Sequence, residues 1–257
     1  MWWLVQDRFR QCVAGLGEAA MIEVENLHYR YSRSRPVLNG VSFSHKEGLV
    51  SLLGENGAGK STLMRILATE VTSGYDGTVV VAGEDLDGGS VRRIRSSVGW
   101  VPQDFPFDSS QKVQSIMRDV AWLRGVKRAD REEAIARSLR QVGLEDRGGD
   151  KAGNLSGGLR RRLVIAAGLV HDPSLLLLDE PTAGLDPKNR RSIMSILQKR
   201  AAAGTAIVMS THVAEDVMQT DRVAFLAHGR IVASGKADSF MREYGDMESA
   251  FEMLTEG

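Results

Sequence analysis

Four leucines in a row, Leu175 to Leu178, form the longest run of large aliphatic residues in the chain. A run of that length fits a strand buried on both faces. "LVSLL" (Leu49 to Leu53) and "TAIVMS" (Thr205 to Ser210) have the same character. "TVVVAG" (Thr78 to Gly83) and "SVGWV" (Ser97 to Val101) read as further strands, and "MIEVENLHYRY" starts another at Met21. "RVAFLA" and "RIVAS" flank His228-Gly229 as the arms of a hairpin. Between about residues 105 and 155 the period changes. Val113, Ile116, Val120 and Leu123 recur at helical spacing, and "DREEAIARSLRQVG" offers Asp130 as an N-cap with Glu133 behind it. This segment is predicted to be a helical insert without strands. A helix opens at about Lys60, and Pro187 after Asp186 starts another that runs to Ala203. The tail from Lys236 also reads as helical, while Gly74, Gly77, Gly83, Gly88 and Gly89 mark turns. Strand, loop and helix in alternation predict an α/β fold.

The first twenty residues stand apart. Trp2, Val5, Phe9, Val13 and Leu16 could line one face of a helix, but Met21 reads as a natural start. Residues 1–20 are therefore taken as an extension without an assigned role, and 21–257 as one domain. The 257 residues are 42% hydrophobic and 26% charged, ordinary for a globular protein that buries a core. Basic and acidic residues balance at 33 each, so a basic footprint is missing and no nucleic-acid partner is expected. The clusters Arg92, Arg93, Arg95 and Arg160, Arg161, Arg162 read as solvated faces. A single cysteine, Cys12, rules out an internal disulfide and fits a reducing compartment. No apolar run approaches the roughly 18 residues that a bilayer span needs. Any membrane part would have to come from a partner.

Chemistry enters with "GENGAGKST" at residues 54 to 62. It fits G-x-x-x-x-G-K-S between a buried strand and a helix, the context that a phosphate-binding loop requires. Gly54, Glu55, Asn56, Gly57, Ala58 and Gly59 supply backbone N–H groups that converge on phosphate oxygens. Lys60 is placed to reach the β- and γ-phosphates, Ser61 to ligate Mg²⁺, and Thr62 to add a hydroxyl. "LLLLDE" brings an acidic pair to the end of a buried strand. Asp179 would hold the metal through water, and Glu180 would orient and deprotonate an attacking water. A second anion-binding turn follows the insert: Ser156 caps a helix, and Gly157 and Gly158 leave its first N–H groups open. One nucleotide cannot fill two distant loops on one sheet. Two chains head to tail resolve this, each closing its second loop on the ATP held by the other's first.

From about Ile22 to Gly235 the chain resembles the ATP-binding subunits of ABC transporters. "GENGAGKST" resembles the Walker A loop, "LLLLDEPTAGLDP" the Walker B strand with the D-loop, and "LSGGL" the signature loop. "WVPQ" resembles the Q-loop, which gives Gln103 as a metal and water contact and hinge. "STH" gives His212 as the switch histidine, and "YRYS" gives Tyr31, in preference to Tyr29, as the ring that stacks on adenine. The resemblance implies a P-loop NTPase (RecA-like) core with an antiparallel β subdomain and an inserted α-helical subdomain. It implies ATP and Mg²⁺ as cofactors, Asp186 near the water site across a dimer, and Glu180, His212, Gln103 and Lys60 as catalytic groups. It further implies a separate integral membrane permease docked on Gln103 to about Arg124, a second cassette, and a place on the cytoplasmic face of the membrane. Leu159 departs from the family's usual glutamine. "LSGGLRRRL", "DEPTAGLDP" and "STHVAEDV" look most like exporter cassettes with separate permeases. An importer cassette, or a soluble ABC ATPase acting on ribosomes or DNA, is the alternative; "LSGG" argues against a simple P-loop kinase.

Overall fold

The computed structural model describes residues 20–31 and 36–255. The apolar stripe expected between Trp2 and Leu16 lies outside them. Strand β1 (Ile22–Tyr29) pairs antiparallel with β2 (Leu38–His45). Strand β3 (Leu49–Leu53) leads into helix α1 (Lys60–Leu67). Then come β4 (Tyr75–Val81), the short β5 (Glu84–Asp85), α2 (Val91–Ser97) and β6 (Val98–Val101). The insert contains α3 (Val113–Leu123), α4 (Arg131–Gln141) and two 3-10 turns, Glu145–Arg147 and Ala152–Asn154. Helix α5 (Gly157–Leu169), β7 (Leu175–Leu178), α6 (Pro187–Ala202) and β8 (Ala206–Thr211) follow. The chain continues through α7 (Ala214–Val217), the hairpin β9 (Arg222–Ala227) and β10 (Arg230–Lys236), α8 (Ala237–Tyr244) and α9 (Met247–Thr255).

Two sheets result. The antiparallel sheet runs β2-β1-β4-β5, and the larger one runs β10-β9-β3-β8-β7-β6. Within the larger sheet β9, β3, β8, β7 and β6 are parallel, and only β10 is antiparallel to its neighbour. The leucine run serves both faces of this sheet, because successive side chains on a strand point to opposite sides. Leu175 and Leu177 join a core that also holds Leu63, Met64, Ile66 and Leu67 of α1 and Ile22, Val24 and Val79 of the antiparallel sheet. Leu176 and Leu178 join a second core with α5, α6 and the helices of the insert. Helix α1 is thus held between the two sheets, and the insert leans on the opposite face. A third, smaller cluster around Phe225 packs α8 and α9 against β9.

The hairpin stands as expected. His228 (φ 50°) and Gly229 (φ 73°) make the left-handed pair that a two-residue connection favours. The insert carries helices and no named strand, and the tail is helical. Four features differ from the sequence reading. Strand β2 and helix α2 were not anticipated. The strand at "TVVVAG" begins earlier, at Tyr75, and stops at Val81, because Ala82 and Gly83 (φ 53° and 75°) turn the chain into β5. Asp130 stands before α4 but makes no side-chain cap. Its backbone is already right-handed helical, whereas a capping side chain needs an extended backbone to fold back on the first turn.

Candidate functional site

The C-terminal ends of the parallel strands gather the predicted chemistry. Strand β3 ends at Leu53 and the loop 54–59 turns into α1. A Cβ on residue 54 would lie 2.4 Å from the Leu226 carbonyl oxygen, so only glycine lets the loop cross the end of β9 so closely. Gly59 has φ 107°, and a Cβ there would meet the Val37 carbonyl oxygen at 2.9 Å. Glu55, Asn56 and Gly57 are exposed at the rim, whereas Lys60 is 4% exposed. The Lys60 amino group donates to the carbonyls of Gly54 (2.7 Å) and Glu55 (3.0 Å). It also stands 3.8 Å from Glu180 Oε1. Burial pushes the Lys60 ammonium down from its ordinary value, and the charges of Glu180 and Asp179 oppose that. Ser61 is exposed, and Thr62 is buried with its hydroxyl 3.3 Å from the Tyr31 hydroxyl. Tyr31 meets Tyr29 edge to face at 5.0 Å and accepts from Arg65 at 3.3 Å, which sets its ring beside the start of α1.

Two strands away, β7 delivers the acidic pair. Asp179 accepts a short hydrogen bond from the Ser210 hydroxyl, and that hydroxyl in turn accepts from the Glu180 N–H at 2.9 Å. Ser210, at the end of β8, therefore ties the Asp179 carboxylate to the backbone of Glu180; nothing in the sequence reading marked it. Glu180 has φ 47°, a left-handed backbone rare for a side chain of its size, and places Oε1 3.2 Å from His212 Nδ1. The His212 ring is about half open to solvent, at 43% of its side chain. Glu180 thereby links Lys60 and His212, with Asp179 joined to it through Ser210.

The second loop lies elsewhere. Strand β6 is separated from β3 by β8 and β7, three strand spacings or roughly 14 Å. Ser156 caps α5, the helix packed on that edge strand, its hydroxyl accepting from the Leu159 N–H at 3.4 Å. Gly157 is exposed, with nothing within 4 Å of a Cβ. Gly158 is buried and touches Asn189 of α6. Asp186 caps α6 through the N–H groups of Lys188 and Asn189, both at 3.0 Å. Those bonds from Asn189, backbone and then side chain, hold the Asp186 carboxyl below its ordinary value. Gln103 is exposed, and its carbonyl accepts from Arg161 of α5 at 3.0 Å.

The arginine clusters are more structural than the sequence reading allowed. Arg95 donates twice to Thr69, Arg161 grips the carbonyls of Pro102 and Gln103, and Arg162 reaches Ser192 and the Val142 carbonyl. Arg92, Arg93 and Arg160 are exposed as expected. Each of these bonded arginines, of which Arg95 is itself exposed, meets a carbonyl or hydroxyl presented by a distant segment, which local sequence does not disclose. Among the described residues no three His, Cys, Asp or Glu side chains cluster as a metal cage. One carboxylate, Asp179, whose charge acts on Lys60, and the hydroxyl of Ser61 next to that lysine are instead the sparse donor set that Mg²⁺ would use when phosphates complete its shell.

A glycine loop opening α1, an acidic pair at the end of β7 and a parallel sheet define a P-loop NTPase. Residues 38–183 match the family model described as ABC transporter. The chain is 38% identical over 210 residues to the Nod factor export ATP-binding protein I of Rhizobium sp. (strain N33), covering 81% of this chain and 68% of that protein. It is 31% identical over 229 residues to the linearmycin resistance ATP-binding protein LnrL of Bacillus subtilis (strain 168), covering 88% of this chain and 73% of that one. The structure of cbiO1 from Clostridium perfringens, part of the ABC transporter complex cbiONQ, superposes with a TM-score of 0.79 at 29% identity over 88% of this chain and 92% of that one. The chain belongs to the ABC transporter family, as an ATP-binding cassette of the kind that hydrolyses ATP. Among the described residues no helix is long and apolar enough to cross a membrane.

Proposed function

We propose that this cassette drives export through a separate membrane permease, and that ATP closes two cassettes on each other. The carrying observation is the separation just described. Lys60, Glu180 and His212 meet at the ends of β3, β7 and β8, while Ser156 and its glycines head α5, the helix packed on the edge strand β6. That arrangement supports a site completed by a second chain, with Ser156 to Gly158 of one cassette on the γ-phosphate held by loop 54–62 of the other.

In this reading Tyr31 stacks on adenine and the N–H groups of residues 54 to 62 hold the phosphates. Lys60 leaves its carbonyl partners for the phosphate oxygens. Mg²⁺, when bound through Ser61, Gln103 and Asp179, neutralises charge on the β- and γ-phosphates. Glu180 takes the proton of the attacking water, and His212, bonded to it, fixes its direction. Asp186 shapes the water site across the interface. Loss of the bridging phosphate then frees the two cassettes. Trp122 and Leu123, 62% and 72% exposed at the end of α3, give the permease an apolar foothold on the segment from Gln103 to Arg124. Export is supported by the names of the two relatives; the cassette then works at the cytoplasmic face of the membrane, bound to its permease.

The test is Glu180→Gln. It leaves ATP binding intact, lowers turnover by about a hundredfold or more, and accumulates an ATP-bound dimer in sedimentation. A variant that stays monomeric with saturating ATP, permease present, overturns the shared site. Purification from native membranes with an integral protein supports the transport role, and recovery with ribosomes instead defeats it.

A further inference from the structure

Asn189 touches both segments that the shared-site reading sends toward the partner. It stands in the first turn of α6. Its side-chain amide donates to Asp186 Oδ2 at 2.6 Å, while its backbone N–H donates to Asp186 Oδ1 at 3.0 Å. The same amide closes on Gly158. A Cβ on residue 158 would lie 2.3 Å from Asn189 Oδ1 and 2.8 Å from Nδ2.

The glycine is there for this approach and not for its backbone. Residue 158 lies inside α5 and is not among the glycines with positive φ. Glycine within a helix costs about 1 kcal/mol relative to alanine. Among the described residues the group filling the space of the missing side chain is the Asn189 amide, already held by Asp186. The amide is therefore a wedge of fixed position, tied to the cap of one helix and seated against the first turn of another.

We propose that Asn189 is a positioning residue that joins loop 156–158 to Asp186, so that both reach the partner's nucleotide as one unit. This rests on the shared-site reading and adds a direction to it. Loss of Asn189 harms the site whose ATP is held by the other chain, and spares the nucleotide bound by its own loop 54–62.

Mixing of variants tests the direction. Asn189→Ala binds ATP as an isolated chain with parent affinity, and its homodimer hydrolyses it about tenfold more slowly, the loss of one hydrogen bond to a charged group. Lys60→Ala is inactive alone. In an equal mixture, half of randomly formed dimers pair the two variants. Each mixed dimer has one sound site, made from loop 54–62 of the Asn189→Ala chain and loop 156–158 of the Lys60→Ala chain. Activity then rises to about a quarter of the parent's. Asn189→Asp keeps the shape but sets a second carboxylate against Asp186, and behaves alike in the same mixture should the alanine variant fold poorly. The control is Ser156→Arg mixed with Lys60→Ala. Recovery in the control without recovery for Asn189 places the defect in the chain's own site and overturns the proposal, as does an undiminished kcat for both Asn189 variants. No recovery in the control removes the shared-site reading itself.

Discussion

Asp216 has no exposed surface, yet its carboxylate joins three segments of the site. Its Oδ2 accepts from the hydroxyls of Thr182, after the acidic pair, and Thr211, before His212. Its Oδ1 faces Arg190 Nε of α6 at 3.7 Å. The Thr211 hydroxyl also accepts from the Val213 N–H at 3.0 Å, so the backbone on both sides of His212 is fixed. Neither Arg190 Nε nor Asp216 Oδ1 has a hydrogen-bond partner, so the pair is held by charge alone. Removing the carboxylate takes the acceptor from two buried hydroxyls and one of two charge partners from Arg190, which keeps Glu215 at 2.8 Å. Asp216→Ala is expected to cost about 3 kcal/mol, a fall of about 6 °C in the melting temperature for a chain of this size. A melt within a degree or two of the parent would show that the network contributes little. None of this was legible in "STHVAEDV", where Asp216 reads as one more acid on a short helix. Ser210, Asn189 and Arg161 were hidden in the same way. Their partners lie about 3 to 60 positions along the chain, and only the fold decides who meets whom.

Helix α5 lies against the edge strand β6 through a contact between glycines. A Cβ on Gly99 would meet the Gly168 carbonyl oxygen at 2.3 Å and the side chains of Leu176 and Pro173 at 2.8 and 2.9 Å. A Cβ on Gly168 would meet Val101 at 2.7 Å. The backbones approach so closely that one added methyl has no space, and the obstacle is partly main chain. Gly99→Ala should destabilise the fold by about 1–3 kcal/mol through overpacking, read as a lower denaturant midpoint. An unchanged midpoint would mean that the helix slides aside without strain. The elements themselves were more legible than their contacts. The leucine run, the glycine loop and the Asp186-Pro187 start each carry their own local cause. Strand β2 escaped because "LNGVSFSH" is broken by Gly40 at φ 79° and puts serines and an asparagine on its open face. Helix α2 escaped because it is short and buries only Ile94.

At the scale of the molecule the two sheets meet at a buried histidine, and this sets a pH limit on stability. His45 closes β2 in the antiparallel sheet, 3% exposed. Its Nε2 lies 3.2 Å from the Gly48 carbonyl, on the connection into β3 of the parallel sheet. Burial is the main cause that lowers its pKa to about 4; the Gly48 carbonyl raises it, Arg222 lowers it and Asp221 raises it. In the unfolded chain the ring titrates near its ordinary value of about 6.5. Above that pH both states carry a neutral ring and stability does not depend on it. As pH falls from about 6.5 toward about 4 the unfolded chain takes up a proton that the folded chain refuses, so stability is lost. The loss is on the order of 3 kcal/mol for His45 by the lower end of that window. His171, hydrogen-bonded to the Val98 carbonyl where α5 returns to the parallel sheet, is lowered to about 4, first by burial, and acts in the same direction. Denaturant midpoints should therefore hold steady down to about pH 6.5 and fall below it, and His45→Gln, which cannot gain a proton, should flatten part of that fall. A parent and a variant with the same acid slope would mean that the seam between the sheets admits the charged ring without cost.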